Sequence, residues 1–126
     1  MRSLSALWIS VGTLCASQAF AQATHAELFA QRGGRTVGAA MVCGIEEARL
    51  LRIGDRISDI VSATVRSREE QTQAINLFIS GYEVGFNEAE TKKTSCAAVI
   101  ADLLWLEGEL AQAKQDASAE ERRRRE

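Results

Sequence analysis

The sequence predicts an all-α protein, a small three-helix bundle with one disulfide that follows a cleaved signal peptide. Three observations carry this prediction. Apolar residues recur at helical spacing in three stretches, and two of these begin after residues that favour helix N-termini. The 126-residue chain contains no proline, and no extended alternation of apolar and polar residues indicates a strand. Two of its three cysteines, Cys43 and Cys96, lie well beyond the N-terminal apolar segment.

The first 21 residues have the pattern of a secretory signal peptide. Arg2 precedes an apolar run at 4–16, and Ala19 and Ala21 have the A-x-A spacing that signal peptidases recognise. This run is shorter than the roughly 20 residues that a membrane-spanning helix needs. We therefore expect cleavage after Ala21, with Ala23 as an alternative, and no stable membrane insertion afterwards.

The mature chain is expected in the periplasm or outside the cell. Removal of 21 residues leaves 105, which is enough for one domain with a modest core. The net charge changes from −2 to −3, because Arg2 is lost with the signal peptide. Such a chain lacks the excess of lysine and arginine that neutralises phosphates, so we expect no nucleic-acid partner.

The two cysteines of the mature chain, Cys43 and Cys96, are expected to form an intramolecular disulfide. An oxidising compartment and an even number of cysteines favour this pairing. A zinc site would need more ligands than the single histidine, His25, adds to the two thiols. A redox pair would have C-x-x-C spacing, and a catalytic cysteine would need a histidine base. Intermolecular pairing stays open and would need both cysteines to be exposed.

Both ends of the mature chain are predicted to lie outside the helical domain, which covers residues 37–113. Residues 22–36 have no sustained apolar pattern, and Gly33 and Gly34 would weaken a helix, so we expect a flexible linker. Residues 114–126 are charged all round, so we expect a helical tail that extends into solvent and frays. The alternative for its four arginines is binding to an acidic partner or a membrane surface.

Three helices are predicted within the domain. The first covers residues 37–66, and Gly44 is the better candidate for a break in it. The second covers residues 68–92 and begins with the capping-box sequence SREE at 67–70. The third follows Ser95, which is a suitable N-cap, and carries an apolar face on which the second cysteine lies.

The sequence SGYEVGF at 80–86 is the most distinctive stretch of the chain. Gly81 and Gly85 lie four residues apart on one helix face, where two glycines let another backbone approach closely. One interpretation is a docking groove for a partner, with Tyr82 and Phe86 as anchors. The alternative is ordinary helix packing within the bundle.

No residue pattern identifies a catalytic, metal or cofactor site. The chain has no P-loop, no G-x-S-x-G and no H-E-x-x-H sequence. The glutamates are explained by solvated helix faces, and no spacing singles out a pair. Trp105, the only tryptophan beyond the signal peptide, lies off the main apolar stripe of the third helix. It either covers an edge of the core or belongs to the candidate interaction face.

Three short motifs resemble a family of small exported alphaproteobacterial proteins with two well-separated cysteines and no assigned function. They are VCG at 42–44, FISGYEVGF at 78–86 and TSC at 94–96, followed by an acidic helix. The likeness spans about residues 37–110, and it implies a periplasmic helical domain with a disulfide. In architecture alone the chain is also similar to the acid-stress chaperones of the enteric periplasm.

Two classes of function are therefore expected. The first is a non-enzymatic periplasmic protein that binds another envelope protein or protects proteins under stress. The second is an enzyme or accessory factor that acts on the cell wall through a carboxylate pair. The sequence does not specify the partner or the oligomeric state.

Reduction of the purified protein should lower its melting temperature sharply. A bond between Cys43 and Cys96 closes a loop of about 53 residues, which in the chain-entropy model stabilises the fold by about 4 kcal/mol. At roughly 4–8 °C per kcal/mol, melts with and without reductant should differ by more than about 10 °C. Thiol titration of the unfolded, unreduced protein should find no free thiol. A shift of only a degree or two, or two reactive thiols per chain, would contradict the bond.

Overall fold

The structure of the protein is a computed structural model that describes residues 24–126. This part of the chain contains four helices and no strand, so the all-α prediction is confirmed and the count of three helices is wrong. The helices are α1 (His25–Val42), α2 (Glu47–Thr64), α3 (Arg68–Glu90) and α4 (Cys96–Arg125). The signal peptide predicted at 1–21 lies outside the described residues.

The flexible linker predicted at 22–36 is wrong from His25 onward, because these residues form most of α1. Thr24 begins the helix with a capping box: its side chain accepts a hydrogen bond from the Glu27 N–H, and the Glu27 carboxylate accepts one from the Thr24 N–H, both at 3.2 Å. Gly33 and Gly34 lie buried within the helix. Their low helix propensity is overridden by tertiary packing, which needs residues without side chains at this face.

The single helix predicted over residues 37–66 is divided at Gly44, the break that the sequence favoured. Gly44 has a φ of 78°, in the left-handed region where glycine carries no steric penalty. Its N–H donates to the Met41 carbonyl at 3.3 Å, and the Ile45 N–H donates to the Ala40 carbonyl at 3.2 Å. These two bonds form a Schellman motif, which ends α1 and lets the chain reverse into α2.

Both N-caps that the sequence indicated are confirmed. The Ser67 hydroxyl accepts a hydrogen bond from the Glu70 N–H at 3.1 Å, and the Ser95 hydroxyl accepts one from the Ala98 N–H at 3.2 Å. The second hydrogen bond of the capping box expected at Ser67 is shifted by one residue. The Glu70 carboxylate accepts from the Arg66 N–H at 3.1 Å, one residue before the cap.

Cys43 and Cys96 lie at disulfide distance, in agreement with the predicted pairing. Their Cα atoms are 5.6 Å apart, and 53 positions separate them in the sequence. Cys43 follows the last residue of α1, and Cys96 is the first residue of α4. The bond therefore holds the beginning of α4 beside the end of α1.

The most extensive helix–helix contact in the described chain joins α1 and α3. Four glycines form this contact, which we call the glycine seam, and each faces the backbone of the other helix. Gly34 faces Phe78, Gly38 faces Tyr82, Gly81 faces Gln31 and Gly85 faces Arg35. Because the facing positions advance in the same direction along both helices, α1 and α3 run parallel.

The glycine seam leaves no space for side chains. A Cβ placed on Gly85 would lie 2.7 Å from the Arg35 carbonyl carbon, and one on Gly34 would lie 2.9 Å from that of Phe78. Such distances are closer than real Cβ atoms approach. Helices this close gain dispersion contacts over their whole length and allow weak Cα–H···O bonds between backbones. These gains offset the roughly 1 kcal/mol of helix propensity that each glycine costs.

The remaining sides of α1 are covered by α2 and α4, each through one apolar stripe. The α2 stripe is Leu50, Ile53, Ile57 and Val61. The α4 stripe is Val99, Leu103, Leu106 and Leu110. Helix α1 is therefore the centre of the bundle, and its many small residues let the three other helices approach it.

The charged tail predicted at 114–126 continues α4 as far as Arg125, and nearly all of its side chains are exposed. Two ion pairs stabilise it at four-residue spacing. Arg124 pairs with Glu120 and Arg125 pairs with Glu121, each at 2.8 Å. In the structure this tail is a helix with its side chains largely in solvent.

Gly85→Ala should destabilise the protein, because its methyl group would collide with the backbone of α1. Overpacking of this kind costs about 1–3 kcal/mol, against a gain of about 1 kcal/mol in helix propensity. Gly54→Ala is the matched control, because a Cβ there meets nothing within 4 Å and only the propensity gain remains. Thermal melts should therefore lower the melting temperature for Gly85→Ala and raise it for Gly54→Ala. Equal gains in both variants would mean that the seam is not closely packed.

Candidate functional site

Two concave surfaces stand out in the described part of the chain. The first, which we call the apolar groove, lies between α2 and α3 and encloses about 270 Å³. The second, which we call the polar cleft, lies between α1, α3 and α4 and encloses about 200 Å³. The first is lined mainly by apolar side chains, and the second also contains charged ones.

The lining of the apolar groove combines small and large residues. Helix α2 contributes the small residues Gly54, Ser58 and Ser62 beside the buried Ile57 and Val61. Helix α3 contributes Gln71, Ala74, Ile75 and Phe78, and α1 contributes Ala30. The glycine seam explains why the groove is open. It draws α3 against α1, while α2 packs on a different side of α1, so α2 and α3 scarcely touch.

Apolar surface continues from the groove along both helices. Ile75 and Ile79 lie one turn apart on α3 and are 52% and 51% exposed. Phe86 continues the same stripe, two turns further on. On α2, Leu51 precedes Gly54 by one turn and is 61% exposed. A connected exposed apolar surface of this kind indicates a site of contact with another molecule.

The edges of the apolar groove carry negative charge. Asp55 lies one turn after Leu51 on α2, and Glu83 lies one turn after Ile79 on α3; both are exposed. Helical spacing places both carboxylates beside the apolar stripe rather than within it. A ligand in the groove would therefore meet an apolar centre with acidic borders.

The sequence-predicted face at 80–86 is only partly open. Gly81 and Gly85 are buried against α1, so these two glycines serve packing and do not form a docking groove. Tyr82 is half-buried and stacks on Phe86, with ring centroids 6.2 Å apart. The two aromatic rings lie on the α3 stripe that borders the apolar groove.

The polar cleft brings together charged residues from three helices. Arg35 donates two hydrogen bonds to the Glu88 carboxylate, at 2.6 and 2.7 Å, and Thr94 donates one to it at 3.4 Å. The guanidinium carbon of Arg32 lies 3.8 Å from the ring centroid of Trp105, in a cation–π contact. Trp105 is 44% exposed, so it both covers the cleft and remains accessible.

Electrostatics in the polar cleft do not favour acid–base chemistry. The hydrogen bonds from Arg35 lower the pKa of Glu88, and its partial burial opposes this only in part. Glu88 is therefore ionised at neutral pH and is a poor proton donor. Asp102 is the other carboxylate that lines the cleft, and the Arg35 guanidinium pairs with Glu88. Within residues 24–126, no group of three His, Cys, Asp or Glu side chains could hold a metal ion.

A second ion pair links α2 to α4 away from both concave surfaces. The Arg49 Nε donates to both Glu107 carboxylate oxygens at 3.2 Å, and its terminal nitrogen also contacts this carboxylate. These bonds raise the pKa of Arg49. The pair fixes how α2 and α4 lie beside each other.

Comparison of the chain with protein-family models, with curated proteins and with solved structures gives no match. The resemblance to the alphaproteobacterial family therefore stays a prediction.

Within the described residues, no helix is both long enough and apolar enough to cross a membrane. The paired cysteines are compatible with the oxidising compartment expected from the sequence. Cleavage of the signal peptide and the periplasmic location stay predictions.

Several residues of these sites were not predicted from the sequence. Gly34 and Gly38 repeat the four-residue spacing of Gly81 and Gly85, and this matched pair of G-x-x-x-G motifs was the signal that could have found the seam. The Arg35–Glu88 pair joins positions 53 residues apart, and nothing local indicates it. The apolar groove depends on how α2 and α3 are placed, which no periodicity encodes.

Replacement of Arg35 by methionine should raise the pKa of Glu88 towards its ordinary value, as measured by NMR titration of the carboxyl carbon. In the wild type that pKa is lowered, so the stabilisation from the pair is present at neutral pH. It is lost as the pH falls through the folded-state pKa of Glu88. Arg49→Met, which breaks the Arg49–Glu107 ion pair, is the control and should leave the Glu88 titration unchanged. An unaltered Glu88 titration in Arg35→Met would contradict the pairing.

Proposed function

We propose that the protein is a non-enzymatic, exported interaction module that binds an apolar helix of another envelope protein in the groove between α2 and α3. The observation that carries this proposal is the groove itself. The folded chain leaves the apolar groove open between two helices. Exposed isoleucine, leucine and phenylalanine side chains continue its apolar surface. Sites of this kind bind helices through large apolar anchors.

The walls of the groove favour a helix as the occupant. Gly54, Ser58 and Ser62 lie at four-residue spacing on one face of α2, and such small residues let a second helix backbone approach closely. Ile75 and Phe78 on the other wall can interdigitate with its side chains. From Ile75 to Phe86 the stripe spans roughly 16 Å, which matches about three turns of helix.

Charge at the groove edges favours a basic partner. Asp55 and Glu83 border the apolar surface on opposite sides, and the whole chain carries a net negative charge. Lysine or arginine beside an apolar helix face would complement these carboxylates and steer the encounter. We therefore propose a basic amphipathic helix as the ligand. A protein that protects envelope proteins under stress would use the same groove on exposed helices of its clients.

The alternative of a cell-wall enzyme has less support. Such chemistry needs one carboxyl group that can donate a proton and a second that acts as base or nucleophile. Glu88 and Asp102 are the carboxylates that line the polar cleft. Because Arg35 holds Glu88 in its ionised form, the cleft favours a structural ion pair over a catalytic one.

The proposal is tested with a labelled basic amphipathic peptide of about 15 residues that carries leucines at helical spacing. Fluorescence anisotropy should show saturable binding to the wild type. Gly54→Leu places a large side chain in the groove at a position where a Cβ meets nothing within 4 Å, and it should weaken binding by at least about 10-fold. Gly108→Leu is the matched control, because Gly108 is also a helical glycine with open space around it.

The peptide has its own control, in which serines replace the leucines. This version should not bind, because it keeps the basic charge and loses the apolar anchors. Equal binding of the leucine peptide to the wild type and to Gly54→Leu would show that the groove is not the site. Loss of binding in both glycine variants would likewise contradict the assignment.

A further inference from the structure

We propose that the polar cleft between α1, α3 and α4 binds a small zwitterion, an α-amino acid with a short apolar side chain. The observation that carries this inference is a pair of opposite charges, Arg32 and Asp102. Both line the cleft, and neither has an ionic partner within residues 24–126. The apolar groove lies between other helices, so this inference does not depend on the proposed function.

The remaining charged and hydroxyl-bearing side chains of the cleft already have partners. Arg35 and Glu88 bind each other, and the Thr94 hydroxyl donates to the Glu88 carboxylate. The Thr36 hydroxyl donates to the backbone carbonyl of Arg32 at 3.2 Å. A charged ligand would have to break these bonds to use the same groups. One positive and one negative side chain are therefore left to bind it.

The positive group of this pair is oriented by an aromatic ring. The guanidinium carbon of Arg32 lies 3.8 Å from the ring centroid of Trp105. A guanidinium over an aromatic face keeps N–H groups free at its edge, where they can bind a carboxylate with two parallel hydrogen bonds. The contact also restricts a long side chain before the ligand arrives, which lowers the entropic cost of binding. Arg32 is therefore a preorganised carboxylate-binding group.

The negative group lies one helical turn away. Asp102 precedes Trp105 by three residues on α4, so the two side chains share a helix face, with roughly 5–6 Å between their Cβ atoms. No ion pair joins Asp102 to Arg32, so the space between the two charges is open to a ligand. An α-amino acid carries both of its charges on one carbon. It can bridge this space with its carboxylate on Arg32 and its ammonium group on Asp102.

The size and lining of the cleft favour a short apolar side chain on the ligand. The cleft encloses about 200 Å³, which is less than the roughly 300–1,000 Å³ of sites for larger molecules. Ala39, Gly85 and Val99 contribute apolar surface beside the charged groups. A second charge on the ligand would find no partner there, because the two unpaired groups are already used. L-Valine and L-alanine are therefore suitable probes.

NMR titration of the ¹⁵N-labelled protein with L-valine tests the site. Binding should shift the indole N–H resonance of Trp105, which Trp105→Phe identifies, and the shift should saturate at millimolar concentrations. Asp102→Asn and Arg32→Met should each raise the dissociation constant at least about 10-fold, because each removes one of the two charges. The matched controls are Glu109→Gln and Arg52→Met. They change exposed residues that do not line the cleft, and both should bind valine as the wild type does.

Two valine analogues test the requirement for both charges. Isovalerate lacks the ammonium group and isobutylamine lacks the carboxylate, so each should bind at least about 10-fold more weakly than valine. Absence of a saturable shift with both L-valine and L-alanine overturns the proposal. So does equal binding of isovalerate and valine, or an Asp102→Asn variant that binds valine as tightly as the wild type does.

Discussion

The backbone contact between α1 and α3 is the constraint on which the rest of the structure depends. Because four glycines lack side chains, the backbones of these two parallel helices pack closely over about two turns. Two parallel neighbouring helices cannot be joined by a short turn. Helix α2 therefore returns the chain from the end of α1 to the level at which α3 begins. It packs on a separate side of α1, and the apolar groove is the space that remains between α2 and α3.

Specific bonds position the other helices around this pair. The Arg35–Glu88 ion pair lies beside Gly85 and ties the side chains of α1 and α3 where their backbones already touch. The Cys43–Cys96 pair holds the beginning of α4 beside the end of α1. Arg49 and Glu107 link α2 to α4. Together they determine which stripe of α4 enters the core, and hence which stripe faces solvent.

An apolar groove therefore remains open between α2 and α3 of this small domain. The groove is concave with acidic borders, which suits a basic helix from another protein.

Local signals in the sequence determined the helical class, the caps at Ser67 and Ser95, the break at Gly44 and the pairing of the two cysteines. Each depends on residues within a few positions or on cysteine number and compartment. The same local reasoning missed the part of α1 that precedes Val37, because the propensities of Gly33 and Gly34 argue against a helix there. Only the tertiary structure decided that helix, the glycine seam and the open groove. The physical reason is that these features depend on backbone contacts between residues about 50 positions apart, whose packing energy exceeds the local cost of glycine.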